Sequence, residues 1–365
     1  MELFMLRCLE LAACGRGLVA PNPMVGAVIV SDGRIIGEGY HRCFGGAHAE
    51  VHAIASVKNE SLLGRSVLYV NLEPCSHNGK TAPCAELIIQ KKIPRVVVAC
   101  FDPYSEVSGR GIEMLRNAGV EVTTGVMEQE AIALNRFFMT AHNYHRPYII
   151  LKWAQSEDHF IDRQRNDVSE TPTQFSTPIT RMMAHQIRSE VQAIMVGTNT
   201  AIKDDPSLTV RYWSGKSPVR VLVDRNRCVP QENHLFDGKQ QTLVFTCQDE
   251  QTSETPGFCE KTNVKYLKIA PTDFQLKNLV TILYQKGIQS LLVEGGAHLH
   301  RAFIEKNIWD EAIIETAPVY IKDGIRSAEL PNDKRVQLVD RQAIKSDYFA
   351  YQRPSIIERY VNRTI

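Results

Sequence analysis

The sequence feature that most constrains the fold is a group of potential metal ligands near the start of the chain. His48 and Glu50 belong to a His-Ala-Glu triplet, and Cys75 and Cys84 lie in residues 73–84, which read EPCSHNGKTAPC. A tetrahedral zinc site takes three imidazole or thiolate ligands and leaves one position open for water. His48, Cys75 and Cys84 can supply these three ligands, so the fold must bring the triplet and both cysteines together.

Glu50 remains outside this ligand set, two residues after His48 at a predicted helix start. Its carboxyl can reach a metal-activated water and move its proton, which is the general acid/base role in zinc-dependent base deaminases. Zinc lowers the pKa of bound water to roughly 7, so a nucleophile is available at neutral pH. The alternative is that the cysteines are ordinary buried thiols and His48 a core histidine. The order of His-x-Glu, a predicted strand, Pro-Cys and a helix-opening cysteine favours zinc.

The spacing of the two cysteines is longer than in most deaminases. Eight residues separate Cys75 from Cys84, whereas the general deaminase signature has two. The intervening residues 76–83 are polar and basic, and we expect them to face the substrate.

Length and composition favour a two-domain enzyme over other classes of protein. A chain of 365 residues exceeds what one core usually supports, and 44% hydrophobic with 23% charged residues is typical of globular domains. A net charge of +1 with dispersed Lys and Arg argues against nucleic-acid binding. Nine cysteines without regular spacing do not indicate a disulfide framework. No membrane span or secretory signal is recognisable, so we expect a cytoplasmic protein.

The first part of the chain predicts a mixed sheet covered by helices on both faces. Asp32-Gly33 separates two short strands and is a hairpin signal. Antiparallel strands followed by alternating strands and helices give such a sheet. The predicted strands are residues 25–30, 34–40, 67–72, 96–100 and 120–124, and the predicted helices are residues 3–14, 47–57, 85–91, 111–118 and 128–140.

The second part of the chain predicts a largely parallel sheet. Residues 141–147 interrupt the helical pattern and end at Pro147, so we place the domain boundary between residues 145 and 146. Strands that alternate with helices imply parallel crossovers. The predicted strands are residues 148–154, 193–197, 219–224, 242–246 and 290–294, with helices at 178–190, 275–286 and 297–305. Residues 158–177 and 248–262 are predicted to be long polar loops.

A second candidate site follows the predicted strand that ends at Glu294. Gly295 and Gly296 would let the backbone approach a ligand, and the next helix would offer free N–H groups to a phosphate. The full Gly-x-Gly-x-x-Gly spacing is absent, so a simple strand-to-helix turn is the alternative.

The metal-ligand segment resembles the deaminase half of the bifunctional riboflavin-biosynthesis deaminase/reductase family. Residues 21–30 (PNPMVGAVIV) and 39–50 resemble the same family. The resemblance implies a cytidine-deaminase-like, three-layer α/β fold for residues 1–145, as a zinc-dependent pyrimidine deaminase domain. It also implies substrate contacts by Asn22, His41, His77, Lys80 and Asp102. The family usually has Asn-Pro after Asp-Pro, and this chain has Tyr104-Ser105.

Residues 152–154, 188–190, 197–200, 204–211 and 294–296 resemble, in this order, the reductase half of the family. The resemblance implies a dihydrofolate-reductase-like fold and an NADPH-dependent reductase domain in residues 146–365. Its implied substrate contacts are Lys152, Arg188, Leu208, Arg211 and Glu294, and its implied cofactor contacts are Thr200, Asp204, Gly296, Ala297, His298, Leu299, His300, Arg301 and Ala302.

Two arginines of this set, Arg188 and Arg211, suit a bidentate phosphate clamp, and surface ion pairs are the alternative. Three departures from the family pattern lie in this half. They are residues 156–159 (SEDH), residues 174–176 (QFS), and Arg225, where a small hydroxyl residue is common. The sequence therefore assigns no reductase contacts in residues 155–177.

The resulting hypothesis is a bifunctional enzyme with zinc and NADPH as cofactors. The first reaction is hydrolytic deamination of 2,5-diamino-6-(5-phosphoribosylamino)pyrimidin-4(3H)-one, and the second reduces the ribosyl side chain to give 5-amino-6-(5-phosphoribitylamino)uracil. We expect pyrimidine ribosyl phosphates as ligands, a homodimer or higher homo-oligomer, and no nucleic-acid or membrane partner. One alternative is another nucleoside or base deaminase fused to an unrelated α/β domain. A second is a nucleic-acid-editing module.

Overall fold

The computed structural model describes residues 1–76, 82–104, 108–165, 167, 170–249, 263–345 and 353–364. The chain forms two compact units, Met1–Arg146 and Pro147–Ile365. Among the helices of these described ranges, none combines the length and the apolar character that crossing a membrane requires.

The first unit is built on a five-stranded sheet with the strand order β2-β1-β3-β4-β5. Strand β1 is antiparallel to β2 and β3, and the pairs β3/β4 and β4/β5 are parallel. The predicted mixed sheet is therefore confirmed. In chain order, the elements are α1 (Glu2–Ala13), β1 (Gly26–Ser31), β2 (Arg34–Tyr40), α2 (Ala49–Ala55), a 3-10 helix (Glu60–Arg65), β3 (Val67–Leu72), α3 (Cys84–Gln90), β4 (Arg95–Cys100), α4 (Arg110–Asn117), β5 (Glu121–Thr124), α5 (Glu128–Leu134) and α6 (Arg136–Tyr144).

Helices cover both faces of this sheet. As a result, β1 is buried along its whole length. Successive side chains of a strand point to opposite faces, so β1 contributes to two cores. Val28 and Val30 pack with residues of α1, α5 and α6, whereas Ala27 and Ile29 pack with residues of α2, α3 and α4. The three layers hold the C-terminal end of β3 and the N-terminal ends of α2 and α3, which carry the predicted metal ligands.

The single helix predicted over residues 128–140 is wrong. The structure has two helices, α5 and α6, separated at Asn135. The Asn135 side chain binds both backbone groups of Met24, accepting from its N–H at 2.8 Å and donating to its carbonyl at 2.9 Å. Helix α6 then runs through Tyr144, so the interruption predicted from residue 141 was placed too early.

The second unit is built on a nine-stranded sheet with the order β11-β10-β9-β8-β12-β6-β13-β16-β15. All neighbours from β11 to β13 are parallel, and only the pairs β13/β16 and β16/β15 are antiparallel, which confirms the largely parallel prediction. Its elements are β6 (Tyr148–Ser156), β7 (Phe160–Asp162), α7 (Pro178–Glu190), β8 (Ala193–Gly197), α8 (Thr198–Asp204), β9 (Val219–Val223), a 3-10 helix (His234–Phe236), β10 (Thr242–Thr246), β11 (Val264–Lys268), α9 (Leu276–Gln285), β12 (Ser290–Val293), α10 (Ala297–Glu305), β13 (Glu311–Ala317), β14 (Ile325–Arg326), β15 (Val336–Ile344) and β16 (Ser355–Asn362).

The prediction of a continuous polar loop over residues 158–177 is wrong at its start. Strand β7 lies within it and pairs with β14 in a separate two-stranded sheet. The buried Asp162 at the end of β7 accepts hydrogen bonds from the Thr173 N–H at 3.0 Å and hydroxyl at 2.6 Å. This carboxylate therefore ties the later part of the segment back to β7.

Candidate functional site

The proposed zinc ligands converge at one end of the first sheet. His48 Nδ1 lies 3.5 Å from Cys75 Sγ and 3.3 Å from Cys84 Sγ. All three ligand atoms lie within 4.8 Å of one another, as atoms that share one ion must. His48 is the N-cap residue of α2, Cys75 follows the end of β3, and Cys84 opens α3.

The two thiols titrate as a pair that suits a cation. The hydrogen bond from Cys84 and the neighbouring His48 hold the pKa of the Cys75 thiol well below its ordinary value. The pKa of Cys84 is raised, because its proton binds the Cys75 sulfur and because the thiol is buried. Both sulfurs can be ionised together only when a positive charge compensates them. The donor set of one imidazole and two thiols therefore fits zinc, with one coordination position left for water.

Glu50 lies in the first turn of α2 beside this group and is 3% exposed. Burial, assisted by the negative charge of Cys75, raises the pKa of Glu50 to about 7. The carboxyl also has a side-chain hydrogen bond with Cys84. It is a titratable group held next to the ligands without being needed as one, which suits proton transfer.

Asn22 and His41 are brought together near the metal ligands. His41 Nδ1 lies 3.0 Å from the Ala47 carbonyl, and its Nε2 lies 3.2 Å from the Asn22 amide nitrogen. Because the carbonyl can only accept, Nδ1 carries the proton and Nε2 accepts from Asn22. Burial lowers the pKa of His41, which keeps this neutral tautomer. No described residue binds the amide oxygen of Asn22 or its second N–H, which can therefore serve a ligand, whereas both ring nitrogens of His41 are used.

Two asparagines that the sequence did not single out fix the chain next to Asn22. The buried Asn71 accepts from the Gly26 N–H at 2.7 Å and donates to the Met24 carbonyl at 3.0 Å. Asn135 binds Met24 as well, as described above. An asparagine inside a predicted buried strand, as at position 71, was the available sequence signal.

Of the other residues implied on the deaminase side, His77 and Lys80 lie outside the described residues. Asp102 follows β4, and its carboxylate accepts from the Tyr104 N–H at 2.9 Å. Its own backbone N–H donates to the carboxylate of Glu73 at 3.3 Å.

In the second unit, the glycine turn after β12 packs closely against the end of β8. A Cβ added to Gly295 would lie 2.6 Å from the Val196 Cα and 2.8 Å from the Gly197 nitrogen. Gly296 has φ +37°, and a Cβ there would lie 3.0 Å from Thr200 Oγ1. The turn thus needs glycine at both positions, and it opens α10 at the carboxyl ends of two parallel strands, where α/β sheets bind their ligands.

Arg188 and Glu294 are brought together as a nearly buried ion pair. Arg188 Nε and Nη2 donate to the two Glu294 oxygens at 3.0 and 2.6 Å, and Nη1 donates to the Thr209 carbonyl at 3.1 Å. The two side chains are only 15% and 12% exposed. Although burial opposes it, the charge of Arg188 lowers the pKa of Glu294, so this carboxylate is ionised. Lys152 in β6 acts on it through its charge as well.

Arg165, in the segment where the sequence assigned no contacts, holds Asp204. The buried guanidinium of Arg165 binds Asp204, donates to the Lys203 carbonyl at 3.0 Å, and lies 2.7 Å from Asp162. Burial raises the pKa of Asp204, and Arg165 opposes that shift. No sequence pattern marked Arg165, because it lies in a polar stretch without periodicity.

Leu208 and Arg211 lie on the loop between α8 and β9. Leu208 is buried with φ +50°, and the Arg211 N–H donates to His185 Nδ1 at 2.9 Å. Arg211 itself is exposed. No side-chain hydrogen bond or ion pair of Arg211 is seen among the described residues.

Residues 296–302, which the family resemblance implies as cofactor contacts, form a continuous run at the start of α10, and their side chains point in different directions. Ala297 and His300 are buried, Leu299 packs at the core, and His298 is exposed. His300 Nε2 lies 3.0 Å from the Val293 carbonyl, and its ring lies 5.1 Å from that of Trp153. Arg301 donates to the Arg326 carbonyl at 2.9 Å, and Ala302 is partly buried. The run therefore cannot contact one ligand through all its side chains.

Comparisons with known proteins agree with this arrangement. Residues 147–350 match the model of the RibD C-terminal domain, and residues 1–100 match the cytidine and deoxycytidylate deaminase zinc-binding region. The riboflavin biosynthesis protein RibD of Aquifex aeolicus is 39% identical over 90% of this chain and 89% of its own length. The Escherichia coli RibD is 36% identical, with 89% of each chain covered.

Solved structures extend the similarity to the whole fold. A Thermotoga maritima diaminohydroxyphosphoribosylaminopyrimidine deaminase/5-amino-6-(5-phosphoribosylamino)uracil reductase superimposes with a TM-score of 0.83 at 36% identity, covering 99% of this chain and 98% of that one. An Acinetobacter baumannii RibD gives 0.84 at 32% identity with the same coverage. The cytidine-deaminase-like and dihydrofolate-reductase-like folds implied by the sequence are confirmed. The chain belongs to the RibD family of bifunctional riboflavin-biosynthesis deaminase/reductases.

Proposed function

We propose that residues 1–145 form the deaminase domain, with His48, Cys75 and Cys84 as zinc ligands and Glu50 as the proton shuttle. The observation that carries this proposal is the convergence of the three ligand atoms within 4.8 Å. The buried carboxyl of Glu50 lies beside them and forms no ion pair with a Lys or Arg among the described residues. The substrate is 2,5-diamino-6-(5-phosphoribosylamino)pyrimidin-4(3H)-one. Zinc, when bound, activates a water for attack at neutral pH.

The residues around the metal ligands divide the remaining work. Glu50 accepts the proton of the attacking water and returns it to the departing amine, which leaves as ammonia. This role suits a group whose pKa is raised to about 7, because it can both gain and lose a proton near neutral pH. The Asn22 amide, held in one orientation by His41, offers a donor and an acceptor to the pyrimidinone edge. We infer that His41 acts through Asn22, and that His77, Lys80 and Asp102 contact the ribosyl phosphate side.

We propose that residues 146–365 form the reductase domain, in which NADPH supplies a hydride to the ribosyl carbon. The glycine turn at 295–296 packs on the end of β8 and opens the N-terminus of α10, whose free N–H groups suit a dinucleotide phosphate. Thr200 lies against this turn, and Asp204 is held at the other end of α8 by Arg165. The backbone of residues 296–298 and these two side chains are the proposed cofactor contacts.

The ribosyl phosphate is proposed to bind between Lys152, Leu208, Arg211 and the Arg188–Glu294 pair. Arg188 is neutralised by Glu294, so Arg211 carries the charge for the phosphate, and the ionised Glu294 can accept from a ribosyl hydroxyl. This division replaces the symmetric clamp of two arginines.

We further infer a cytoplasmic enzyme that works as a homo-oligomer. Strand β15 is the outer strand of the large sheet, and its Leu338 and Val339 are 49% and 48% exposed. Apolar side chains on an open sheet edge favour association with another copy of the chain. Light scattering of wild type and Leu338→Asp tests this inference, and an unchanged monomer in both would contradict it.

The test of the main proposal measures metal content and both reactions on one preparation. Zinc-loaded protein should hold one zinc per chain, release ammonia from the pyrimidinone phosphate, and oxidise NADPH only when the deaminated compound is supplied or formed. Cytidine serves as the control substrate and should release no ammonia. Deamination of cytidine but not of the pyrimidinone phosphate would refute the substrate assignment.

A further inference from the structure

Glu73, with a buried carboxylate, lies in the chain between strand β3 of the five-stranded sheet and the metal ligand Cys75. Glu73 is 4% exposed and directly follows the last residue of β3. Its backbone N–H donates to the Cys100 carbonyl at 3.0 Å, which continues the pairing of β3 with β4. The proposed mechanism gives this carboxylate no role, although only Pro74 separates it from a metal ligand.

The two oxygens of Glu73 collect four backbone N–H groups. Oε1 accepts from Gly111 at 2.9 Å and Ile112 at 3.3 Å, and Oε2 accepts from Gly109 at 2.9 Å and Asp102 at 3.3 Å. Three of these donors belong to the start of α4, whose N-cap Gly109 has no side chain to satisfy them. A carboxylate at a helix N-terminus is favourable because of the free N–H groups and the helix dipole.

The same helix touches the backbone next to the metal ligand. A Cβ added to Gly111 would lie 2.0 Å from the Pro74 carbonyl oxygen. The first turn of α4 is therefore in direct contact with the peptide that joins Pro74 to Cys75. The carboxylate of Glu73 holds this turn through hydrogen bonds to its backbone N–H groups. The absence of a side chain at position 111 allows the close contact with Pro74.

We propose that Glu73 is a positioning residue for deamination, which fixes Cys75 for the metal and Asp102 for the substrate through one buried carboxylate. This inference rests on the proposed function of the first unit. Oε1 and the α4 contact hold the Pro74–Cys75 peptide in place, and Oε2 holds the backbone of Asp102 directly after β4. The affinity for zinc and the affinity for the substrate thereby both depend on the Glu73 side chain, although it contacts neither the zinc nor the substrate.

The test is Glu73→Gln, which keeps the size of the side chain and replaces one accepting oxygen by an NH₂ group. That group faces two backbone donors and cannot accept from them. We expect zinc affinity, measured by competition with a chelator, to fall about tenfold or more, as for other residues that orient metal ligands. In the zinc-saturated variant, KM for deamination should rise more than kcat falls, while reduction of supplied deaminated substrate stays at the wild-type rate.

Leu63→Ala is the control for a general loss of stability. Leu63 is 2% exposed and lies before the opposite end of β3, in the core shared with α2, α3 and α4. Its truncation should destabilise the first unit and leave zinc affinity and KM unchanged. Gly111→Ala perturbs the Pro74 contact from the helix side and should reproduce the loss of zinc affinity seen in Glu73→Gln, without the rise in KM. The two losses of zinc affinity should be less than additive when combined, because both changes act on the Pro74 contact.

Several outcomes would overturn the inference. A folded Glu73→Gln protein with wild-type zinc affinity and KM excludes the positioning role. So does a Leu63→Ala protein that shows the loss of zinc affinity and the rise in KM expected for Glu73→Gln. If Glu73→Gln does not fold, Gly111→Ala decides, and a wild-type zinc affinity in that variant overturns the inference. A wild-type chain that neither holds zinc nor deaminates would instead refute the proposed function, which makes the two failures distinguishable.

Discussion

Glu294→Gln should destabilise the second unit strongly, because it leaves the Arg188 guanidinium charged and nearly buried. The wild-type pair has two charged hydrogen bonds, at 3.0 and 2.6 Å, and side chains that are 15% and 12% exposed. Removing one partner of a buried pair costs about 3–5 kcal/mol, most of which comes from the uncompensated charge. The Gln oxygen can keep one of the two bonds, so we expect a loss of about 3 kcal/mol in the free energy of unfolding.

Tryptophan fluorescence can report this loss for the second unit alone. All three tryptophans of the chain, Trp153, Trp213 and Trp309, follow the boundary at Arg146 and Pro147. With a urea m-value of roughly 1–3 kcal/mol/M, the loss should shift the unfolding midpoint by on the order of 1 M. The experiment uses the full-length chain and needs no isolated domain.

Glu358→Gln is the matched control, since it makes the same chemical change in a more exposed pair of the same unit. Glu358 lies 3.4 Å from Arg341, and the two side chains are 23% and 63% exposed, so the cost should be roughly 0–1 kcal/mol. Adding Arg188→Met to Glu294→Gln should restore part of the stability, because no buried charge then remains. Equal midpoints for Glu294→Gln and Glu358→Gln would refute the reasoning.

Four further predictions follow from the two sites. Glu50→Gln should retain zinc in metal analysis and lose deamination by roughly 10² to 10⁴ or more, and a wild-type rate of ammonia release would exclude Glu50 as the proton shuttle. Cys75→Ser should abolish deamination and leave reduction of supplied substrate within a few-fold, whereas Arg211→Ala should weaken reduction about tenfold and spare deamination; loss of both activities in a folded Cys75→Ser protein would contradict independent sites. Reduction should have a higher kcat/KM with NADPH than with NADH, and equal values would refute the cofactor assignment. Burial lowers the pKa of His300 from 6.5 to about 4. The unfolded chain therefore binds this proton near pH 6.5, whereas the folded chain binds it only near pH 4. The free energy of unfolding should be unaffected by His300 above pH 6.5 and should fall by about 3 kcal/mol as the pH is lowered toward 4. This loss should be absent in His300→Gln under the same urea titration, and parallel pH profiles of the two proteins would contradict it.

The sequence predicted those parts of the structure that depend on local motifs and on short runs of apolar residues. The metal ligands occur in a local order of triplet, strand, Pro-Cys and helix, and the structure brings His48, Cys75 and Cys84 within reach of one ion. Strand β1 was recognisable because its sequence is a short, mostly apolar run before the Asp32-Gly33 turn, and the structure buries all six of its residues. The parallel core of the second unit was recognisable for the same reason, since strands buried on both faces read as continuous apolar runs.

The strands beyond β6 in the large sheet were not predicted, because their sequences are not apolar enough. Strand β13 contains the buried Glu311 and Glu315, and β15 is exposed at most positions. Glu311 pairs with Arg359 of β16, and Glu315 accepts from the Ser176 hydroxyl at 2.6 Å. Each acid is stabilised by a partner distant in sequence. A pattern of hydrophobicity therefore breaks at these positions although the strand continues.

The same limit applies to the charged residues of the reductase site. Arg188 and Glu294 are 106 positions apart, and Arg165 and Asp204 are 39 apart. A motif can show that an arginine is present, but the ligand that neutralises it depends on which strands become neighbours. Since β8, which follows the helix of Arg188, is paired directly with β12, the carboxylate after β12 reaches that arginine first. In the proposed reductase site, the phosphate takes its positive charge from Arg211 on the exposed loop. Loss of Arg211 should therefore weaken phosphate binding, and loss of Glu294, the partner of Arg188, should lower the stability of the second unit.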